Sequence, residues 1–435
     1  MLIAVLVTAN SFTRLQIDTT VGSVQMSLSQ VWDKAESYNK QIQMQQLHVQ
    51  GSEEEIKDAK AERLPDISAE GEYARVSNMP LFENGIFKTP TQFPVLHNYY
   101  KVAGDAYLNV YNGKKTSTKI SENEAKQQIA VEQKRLTTSE IKLRASSYYL
   151  DIQRSLVFKD LLLKHLAEQE KQLEQIRQLK KNGVVLKTDV LRAELQLSRQ
   201  KLSLEQIDND IAIARQKLDI IIGLPDSVNI IPSADSLDSF PLKNYEDYVA
   251  DATTHSYQYK ISEKETELRL LQLKEVKGNN LPKVGLFANY SYTYPEIQFY
   301  PYAPSLYGIG MYGVRATLPI SSLYHNKHKE KAAEIEYKRQ EIEHSNTQDD
   351  IRQQVKEAYL RYKEAVNRTN VAKANIQQAT ENLRIVSNTY FNQLSLLTDL
   401  LDADTQVLQT RFDYAAAKIA AQLQYYQLQK AIGNL

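Results

Sequence analysis

Long stretches of the sequence contain neither proline nor glycine, the residues that most often interrupt a helix. Proline is absent from 95–224 and 320–435, and glycine is absent from 114–182, 184–222 and 314–432. Gln, Lys, Glu, Leu and Ala, which all favour helices, fill these stretches. The chain is therefore expected to contain several helices that are far longer than a globular domain requires.

Small and apolar residues recur in these stretches with the 3-4 spacing of a coiled coil. In the second half of the chain the series comprises Val355, Ala358, Tyr362, Ala365, Thr369, Ala372, Ile376, Ala379, Leu383, Val386 and Tyr390. In the first half it comprises Leu197, Leu204, Ile207, Ile211, Ala214 and Leu218. Such seams predict long helices that pack side by side, with polar residues covering most of the remaining surface.

The chain also contains an internal duplication. Residues 182–194 align without gaps on residues 392–404, and the Leu-Pro pair within 63–67 recurs within 280–284. Both halves end in Ile-Gly, at 222–223 and 432–433. A unit of roughly 200 residues is far longer than a solenoid repeat, so two related halves of one fold are expected.

Each copy is predicted to fold as helix, strand, loop, strand, very long helix, turn and long helix. The predicted helices cover 28–62, 114–181, 188–222, 244–277, 322–391 and 398–431. The predicted strands cover 66–76, 102–111, 284–294 and 310–320. The chain is thus divided into an N-terminal segment (1–27), a first repeat (28–223), a proline-containing linker (224–243) and a second repeat (244–435).

The predicted strands alternate with period two, so that each has an apolar and a polar face. At about ten residues each, they match the length of a strand that crosses a membrane. Tyrosines crowd their ends, as in an aromatic belt at a membrane surface. The predicted belt comprises Tyr107, Tyr111, Tyr294, Tyr300 and Tyr312. A soluble sandwich with tyrosine-rich turns would show the same pattern.

Four strands are too few to close a barrel, and an open sheet edge is not tolerated in lipid. A membrane sheet with four strands per chain must therefore be completed by other copies of the chain. The expected fold class is mainly α-helical, with long antiparallel coiled coils and a membrane β-barrel portion to which each copy contributes four strands.

Two helix–strand–strand–helix–turn–helix units, Leu-Pro before a strand, and the motif Gly-x4-Thr-Asp-Val-Leu from Gly183 to Leu191 together resemble the TolC-like outer-membrane efflux protein family. The resemblance covers about residues 28–433. It implies a homotrimer in the outer membrane of a Gram-negative bacterium, with one shared β-barrel and a helical tunnel through the periplasm. It also implies a passive duct that docks, through a periplasmic adaptor protein, onto an inner-membrane pump of the RND, ABC or MFS type.

The resemblance further implies a periplasmic aperture beside the two helical turns. The matching residues are Thr188, Asp189, Tyr390, Asp399 and Asp402, and the acidic residues of the second turn would form a ring that attracts cations. The tip that meets the adaptor would comprise Asn182, Gly183, Val184, Val185, Asn392, Gln393, Leu394 and Ser395. Two positions depart from the family pattern. Gln393 replaces a common Gly, and Ser395 replaces an Arg that braces the closed state in some members.

Helix capping is an alternative explanation for several of these residues. Thr188 and Thr398 are expected to be N-caps, and Asp189 and Asp399 lie in first helical turns, where a negative charge favours the helix dipole. Capping explains Asp402 less well, because that residue lies one turn farther along its helix.

The repeat alignment places Arg192 at the position equivalent to Asp402. We therefore hypothesise that these side chains pair across neighbouring coiled coils and hold the aperture closed.

The sequence predicts neither an enzyme nor a cofactor. It has no Cys, no Gly-rich phosphate loop and no nucleophile elbow. His325, His328 and Glu330 are the nearest candidates for a metal site, but a solvated turn explains them better, so no metal is predicted. The 53 basic and 53 acidic residues balance, which leaves no electrostatic case for nucleic acid as a partner.

The apolar run 2–7 resembles the hydrophobic part of a secretory signal peptide, and a frayed apolar terminus is the alternative. Because the chain has no cysteine, an N-terminal lipid anchor is not expected. A second class of function also fits the pattern, namely a coiled-coil scaffold of the cell envelope. The sequence leaves the exported substrate open among drugs, metals, polypeptides and glycans.

Overall fold

The computed structural model describes residues 23–226, 228–233, 241–296 and 303–435. The chain divides into two compact units. The first, here called the turn unit, comprises Met1–Gln43, Thr137–Ala252 and Gln354–Leu435. The second, here called the sheet unit, comprises Met44–Leu136 and Thr253–Gln353.

The fold is mainly helical, which confirms the predicted fold class. The helices are α1 (Leu28–Tyr38), α2 (Lys40–Ala61), α3 (Lys115–Lys181), α4 (Lys187–Ile222), α5 (Tyr245–His255), α6 (Tyr257–Gly278), α7 (Ser322–His325), α8 (Lys327–Phe391) and α9 (Leu397–Ala431). The strands are β1 (Ser23–Met26), β2 (Asp66–Arg75), β3 (Met79–Leu81), β4 (Thr91–Phe93), β5 (Asn98–Asn112), β6 (Asn229–Pro232), β7 (Lys283–Tyr294) and β8 (Tyr307–Thr317). Within the described ranges, no helix combines the length and the apolar character needed to cross a membrane.

The predicted coiled-coil seam is buried along α8, at Val355, Tyr362, Ala365, Ala372, Ala379 and Tyr390. Four of these six residues are valine or alanine, so the helices approach each other closely and bury little area per turn. Long helices with such seams gain their stability by summing many small contacts along their length.

The first helix of each repeat is interrupted, although the sequence predicts one continuous helix over 28–62 and another over 244–277. Asn39 separates α1 from α2. Its backbone is extended (φ −68°, ψ 125°), and its side chain accepts a hydrogen bond from the Gln41 N–H at 2.9 Å. Ser256, also with a helix-breaking backbone (φ −56°, ψ 126°), separates α5 from α6. Asn and Ser are both favoured at helix starts, and this local preference overrides the periodic pattern.

The sheet unit contains a four-stranded antiparallel sheet in the order β2-β5-β7-β8. The strands β2 and β7 each follow a helix, and β5 and β8 each lead toward one. Because the strands are antiparallel, all four helical connections leave the same end of the sheet, here called the helix end. At the edges, β2 and β8 each pair with only one neighbour among the described strands.

The strand register separates the apolar and polar residues onto opposite faces. On the apolar face, Ile67, Ala106, Ala288 and Tyr312 form one row across the four strands. On the polar face, a typical row contains Glu72, Lys101 and Thr293. The face alternation predicted from the sequence is therefore present in the sheet.

The predicted aromatic belt is divided between the two faces. Tyr294 and Tyr312 lie on the apolar face, and a β-bulge after Asn109 brings Tyr111 opposite Val284 on the same face. Tyr107 lies on the polar face, where it pairs with Phe287 and its ring covers Gly285. Tyr300 lies outside the described residues.

The turn unit contains a small parallel sheet that the sequence does not predict. β1 lies in the predicted N-terminal segment and pairs with β6, which lies in the predicted linker. The two strands cover an apolar core that includes Met26, Val31, Ile141, Leu218, Ile222, Ile230 and Ile419. The Tyr149 hydroxyl donates to the Met26 carbonyl at 3.0 Å. Each strand has only four residues, and the two are about 200 residues apart, so local patterns do not reveal their pairing.

Candidate functional site

Two tight turns close the helical hairpins of the turn unit, one between α3 and α4 and the other between α8 and α9. Each contains a left-handed residue, Gly183 (φ 75°) in the first and Gln393 (φ 64°) in the second. The Val184 N–H donates to the Leu179 carbonyl at 2.9 Å, and the Leu394 N–H donates to the Thr389 carbonyl at 2.8 Å. These bonds satisfy the last carbonyls of α3 and α8, so the two turns have equivalent backbone structures.

An aspartate caps the helix that follows each turn. The Leu186 N–H donates to Asp189 Oδ2 at 3.2 Å, and the Leu396 N–H donates to Asp399 Oδ2 at 3.1 Å. The helices begin one residue earlier than predicted, at Lys187 and Leu397. Thr188 and Thr398 are therefore not N-caps but lie inside the first helical turn. The aspartates already bond the backbone at the helix starts, so the threonine hydroxyls are not needed there.

Both turns lie against one apolar cluster built from all four hairpin helices. It comprises Leu173, Ile176, Val190, Ala193, Tyr390, Leu397 and Leu400. Tyr390 is the largest of these side chains, and its buried hydroxyl has no hydrogen-bond partner among the described residues. Burial and the negative charge of Asp189 raise the pKa of the Tyr390 hydroxyl. The cluster therefore fixes the two turns side by side.

Charged residues lie on the surface above this cluster. Arg192 and Asp402 are both exposed, and neither forms an ion pair within the part of the chain that the structure describes. The hypothesised pair between them is therefore not formed within one chain. Two residues farther along α4, Glu194 accepts a hydrogen bond from the Arg177 guanidinium at 2.8 Å.

The tips of the turns expose more apolar surface than the sequence predicts. The polar tip residues Asn182, Asn392 and Gln393 are exposed, as are Gly183, Val184 and Leu394, whereas Val185 and Ser395 are half-buried. Ser395 accepts a hydrogen bond from the Thr389 hydroxyl at 3.2 Å. Leu186 and Leu396 were not predicted to belong to the tip, but they are 71% and 69% exposed. The signal for them is a leucine directly before each capped helix start.

A buried polar cluster joins the two hairpins farther from the turns. His165 and Gln169 of α3, Gln200 of α4 and Asp404 of α9 are all buried. Gln169 Nε2 donates to Asp404 Oδ2 at 3.0 Å, His165 Nε2 lies 3.5 Å from the same oxygen, and the Gln200 amide nitrogen lies 3.1 Å from His165 Nε2. Burial raises the pKa of Asp404, against the opposing effect of His165, and lowers the pKa of His165. This cluster was not predicted, because Gln and His residues on a helix ordinarily indicate a solvated face.

The chain is similar to known proteins over most of its length. A family model described as outer membrane efflux protein matches residues 31–224 and 262–434. No curated protein matches the sequence at a significant level.

Several solved structures share the fold. The outer membrane protein VceC from Vibrio cholerae is 17% identical with a TM-score of 0.77, over 93% of this chain and 96% of that one. The MtrE outer membrane channel of Neisseria gonorrhoeae, solved in an open state, is 16% identical with a TM-score of 0.74, over 93% and 88%. The CmeC outer membrane channel of Campylobacter jejuni is 14% identical with a TM-score of 0.72, over 94% and 85%. At these identities the likeness concerns the fold.

Proposed function

Because the chain belongs to the outer membrane efflux protein family, we propose that it is the outer-membrane channel of a tripartite efflux or type I secretion system. The protein is located in the outer membrane, as its family is. In this role it is a passive homotrimeric duct, with its helices extending into the periplasm, and not an enzyme.

The four-stranded sheet supports the trimeric barrel. It has an apolar face suited to lipid, a polar face suited to a water-filled lumen, and two edge strands, β2 and β8, with unsatisfied pairing positions. Lipid does not tolerate such edges, so β8 of one copy pairs with β2 of the next. Three copies then supply twelve strands to one barrel. The aromatic residues Tyr111, Tyr294 and Tyr312 mark its lipid-facing surface.

The paired helical turns form the periplasmic aperture, and their packing is the observation that carries the proposal. One apolar cluster holds both turns, while Asp399 and Asp402 remain on the surface of the second turn. Around a threefold axis these carboxylates become six, which raises the local affinity for cations. Thr188, Asp189 and Tyr390 stabilise the two turns, and Arg192 pairs with Asp402 in a neighbouring copy of the chain to hold the aperture closed.

The exposed tips are the docking surface for a periplasmic adaptor protein, which connects the channel to an inner-membrane pump. The turn residues 182–185 and 392–395 form this surface, and the exposed side chains of Leu186 and Leu396 extend it. Exposed leucines that flank a capped helix start offer apolar anchors for a partner.

Recordings of single channels in planar bilayers test the aperture. Asp402→Asn should raise the concentration of Mg²⁺ that half-blocks the current by about tenfold, because half of the ring's charge is removed. Arg192→Glu should increase conductance, since it replaces the proposed closing contact with repulsion. Arg199→Glu, on the same face of α4 and one heptad farther from the turn than Arg192, is the matched control and should change neither quantity. Unchanged conductance and unchanged block in Arg192→Glu would count against the pairing.

Membrane fractionation distinguishes the proposed channel function from the alternative, a coiled-coil scaffold of the cell envelope. The channel should remain in outer membranes after carbonate washing and should require detergent for extraction, because twelve strands are embedded in lipid. Release of the protein without detergent would refute the channel.

A further inference from the structure

The two repeats differ in how a strand leads into a long helix. In the first repeat, β5 ends at Asn112 and α3 begins at Lys115. In the second, β8 ends at Thr317 and α8 begins only at Lys327. The longer connection, 318–326, contains α7 and has no counterpart in the first repeat. The duplicated fold therefore does not require it.

This connection exposes four large apolar side chains. Leu318, Ile320, Leu323 and Tyr324 are 60%, 68%, 64% and 64% exposed. The segment is nevertheless anchored, because Asn326 is buried and its side-chain amide donates to the Val276 carbonyl of α6 at 2.8 Å. Large apolar side chains that an anchored backbone exposes to solvent indicate a binding surface.

Cations without partners follow directly in the chain. Lys327 and Lys329 are exposed, and neither forms an ion pair within the described residues, whereas Lys331 pairs with Glu334 at 3.0 Å. Lysines in the first turn of a helix oppose its dipole, so helix formation does not explain them. Leu318, Ile320, Leu323, Tyr324, Lys327 and Lys329 are together called the junction patch.

The position of the junction patch identifies what covers it. The apolar face of β8 runs through Val314 and Ala316, and Leu318 continues the same alternation at the helix end of the sheet. The order along the chain is therefore apolar strand, exposed apolar side chains with one tyrosine, and then unpaired lysines. Hydrocarbon, interface and phosphate headgroups follow one another in this order across a membrane leaflet.

We propose that the junction patch binds anionic phospholipids of the leaflet nearest the helix end, with Lys327 and Lys329 on the headgroup phosphates and Leu323 and Tyr324 against the upper acyl chains. This proposal rests on the membrane location of the sheet in the proposed function. The first repeat has only Gly113 and Lys114 at the equivalent place, so each chain supplies one such site.

Thermal unfolding of the full-length protein in neutral detergent tests the site. Phosphatidylglycerol should raise the midpoint of unfolding at lower concentrations than phosphatidylcholine with identical acyl chains, and added salt should reduce the difference. Lys327→Gln/Lys329→Gln should raise the required phosphatidylglycerol concentration roughly 30-fold, since each cation near an anionic surface contributes a factor of about five. Lys363→Gln/Lys373→Gln, two exposed lysines elsewhere on α8, should leave the response unchanged. Inorganic phosphate alone should have no effect.

A second variant tests whether the apolar side chains of the junction patch bind lipid or contact another copy of the chain. Leu323→Ser/Tyr324→Ser should weaken the response to both lipids and leave the oligomer intact in size-exclusion chromatography. Dissociation of the oligomer by this variant, or equal responses to the two lipids in the wild type, would overturn the proposal. Conductance in pure phosphatidylcholine separates the two proposals: a conducting channel without any preference for phosphatidylglycerol refutes only the lipid site.

Discussion

In the first helical turn the left-handed residue is Gly183, and in the second it is Gln393, yet both turns close with the same backbone hydrogen bonds. The aspartate caps also match, at 3.2 Å for Asp189 and 3.1 Å for Asp399. Three residues beyond these caps the two repeats differ, because the first has Arg192 where the second has Asp402. The backbone hydrogen bonds and the aspartate cap that build the turn are therefore the same in both repeats, whereas the surface position beyond the cap carries opposite charges.

The same comparison separates structural from specialised residues elsewhere in the repeats. The buried Asp404 corresponds to Glu194, which forms a surface ion pair, and the buried Asp219 corresponds to Gln429. Each difference places a charge in the interior of one repeat only. The repeats therefore provide their own controls, since each substitution can be judged against the equivalent position.

The largest effect is expected at the buried polar cluster. Asp404→Ala removes the acceptor for Gln169 and the partner of His165, and we expect a loss of about 2 to 4 kcal/mol in the free energy of unfolding. Glu194→Ala breaks only the exposed pair with Arg177 and should cost less than about 1 kcal/mol. Chemical denaturation in detergent measures both. Equal losses for the two variants would show that the cluster contributes no more than a surface ion pair.

Substitution of Asp219 should increase the free energy of unfolding by a similar amount, and this increase should depend on pH. Burial, with a smaller contribution from Asp226, raises the pKa of Asp219 from 3.8 to about 6. The native state holds this proton more tightly than the unfolded chain, so the stabilising contribution is full below pH about 4 and is lost as the pH rises through about 6. Asp219→Asn should therefore add about 2 kcal/mol to the free energy of unfolding at pH 7.5 and little at pH 4.

Asp210→Asn, an exposed position on the same helix, is the control for Asp219 and should change stability at neither pH. A gain from Asp219→Asn that persists undiminished at pH 4 would show that the effect does not arise from ionisation.

The sequence predicts most of the fold because its signals are long or repeated. The long helices follow from stretches without Pro or Gly, and the sheet faces follow from strict alternation. The sequence does not predict the breaks at Asn39 and Ser256. At each break a single polar residue starts a new helix, and one residue hardly changes the periodic pattern around it. The sequence also does not predict the β1–β6 pair or the His165–Asp404 cluster, because each joins segments more than 200 residues apart that carry no local signal.

At the candidate site, prediction located the turns but not every role within them. The match of 182–194 to 392–404 identifies both turns. The sequence predicted threonine caps, however, because Thr and Asp both favour helix starts and their order alone does not decide which side chain bonds the backbone. The sequence does not predict the exposure of Leu186 and Leu396, because a leucine beside a helix ordinarily indicates a buried residue.

A smaller effect is expected from exchanging the left-handed residues. Gly183→Ala should destabilise the protein by about 1 kcal/mol, because a Cβ is disfavoured at positive φ even though no atom lies within 4 Å of it. Gln393→Gly should stabilise the second turn by about 0.5 to 1 kcal/mol for the same reason. Shifts in the thermal midpoint of the purified protein measure both. Destabilisation by Gln393→Gly would show that the glutamine side chain contributes a contact that outweighs its backbone strain.

The smallest change in stability is expected at the caps, where it separates capping from aperture function. Asp189→Ala should cost about 0.5 to 1 kcal/mol by removing the bond to the Leu186 N–H, and should leave the Mg²⁺ block of the channel unchanged. Asp402→Ala should show the reverse, an altered block at unchanged stability, because Asp402 bonds no backbone group in the described residues. Asp399→Ala should affect both quantities, since Asp399 caps α9 and lies on the proposed aperture. An unchanged block in Asp399→Ala would confine the cation site to Asp402 and leave Asp399 with the same purely structural role as Asp189.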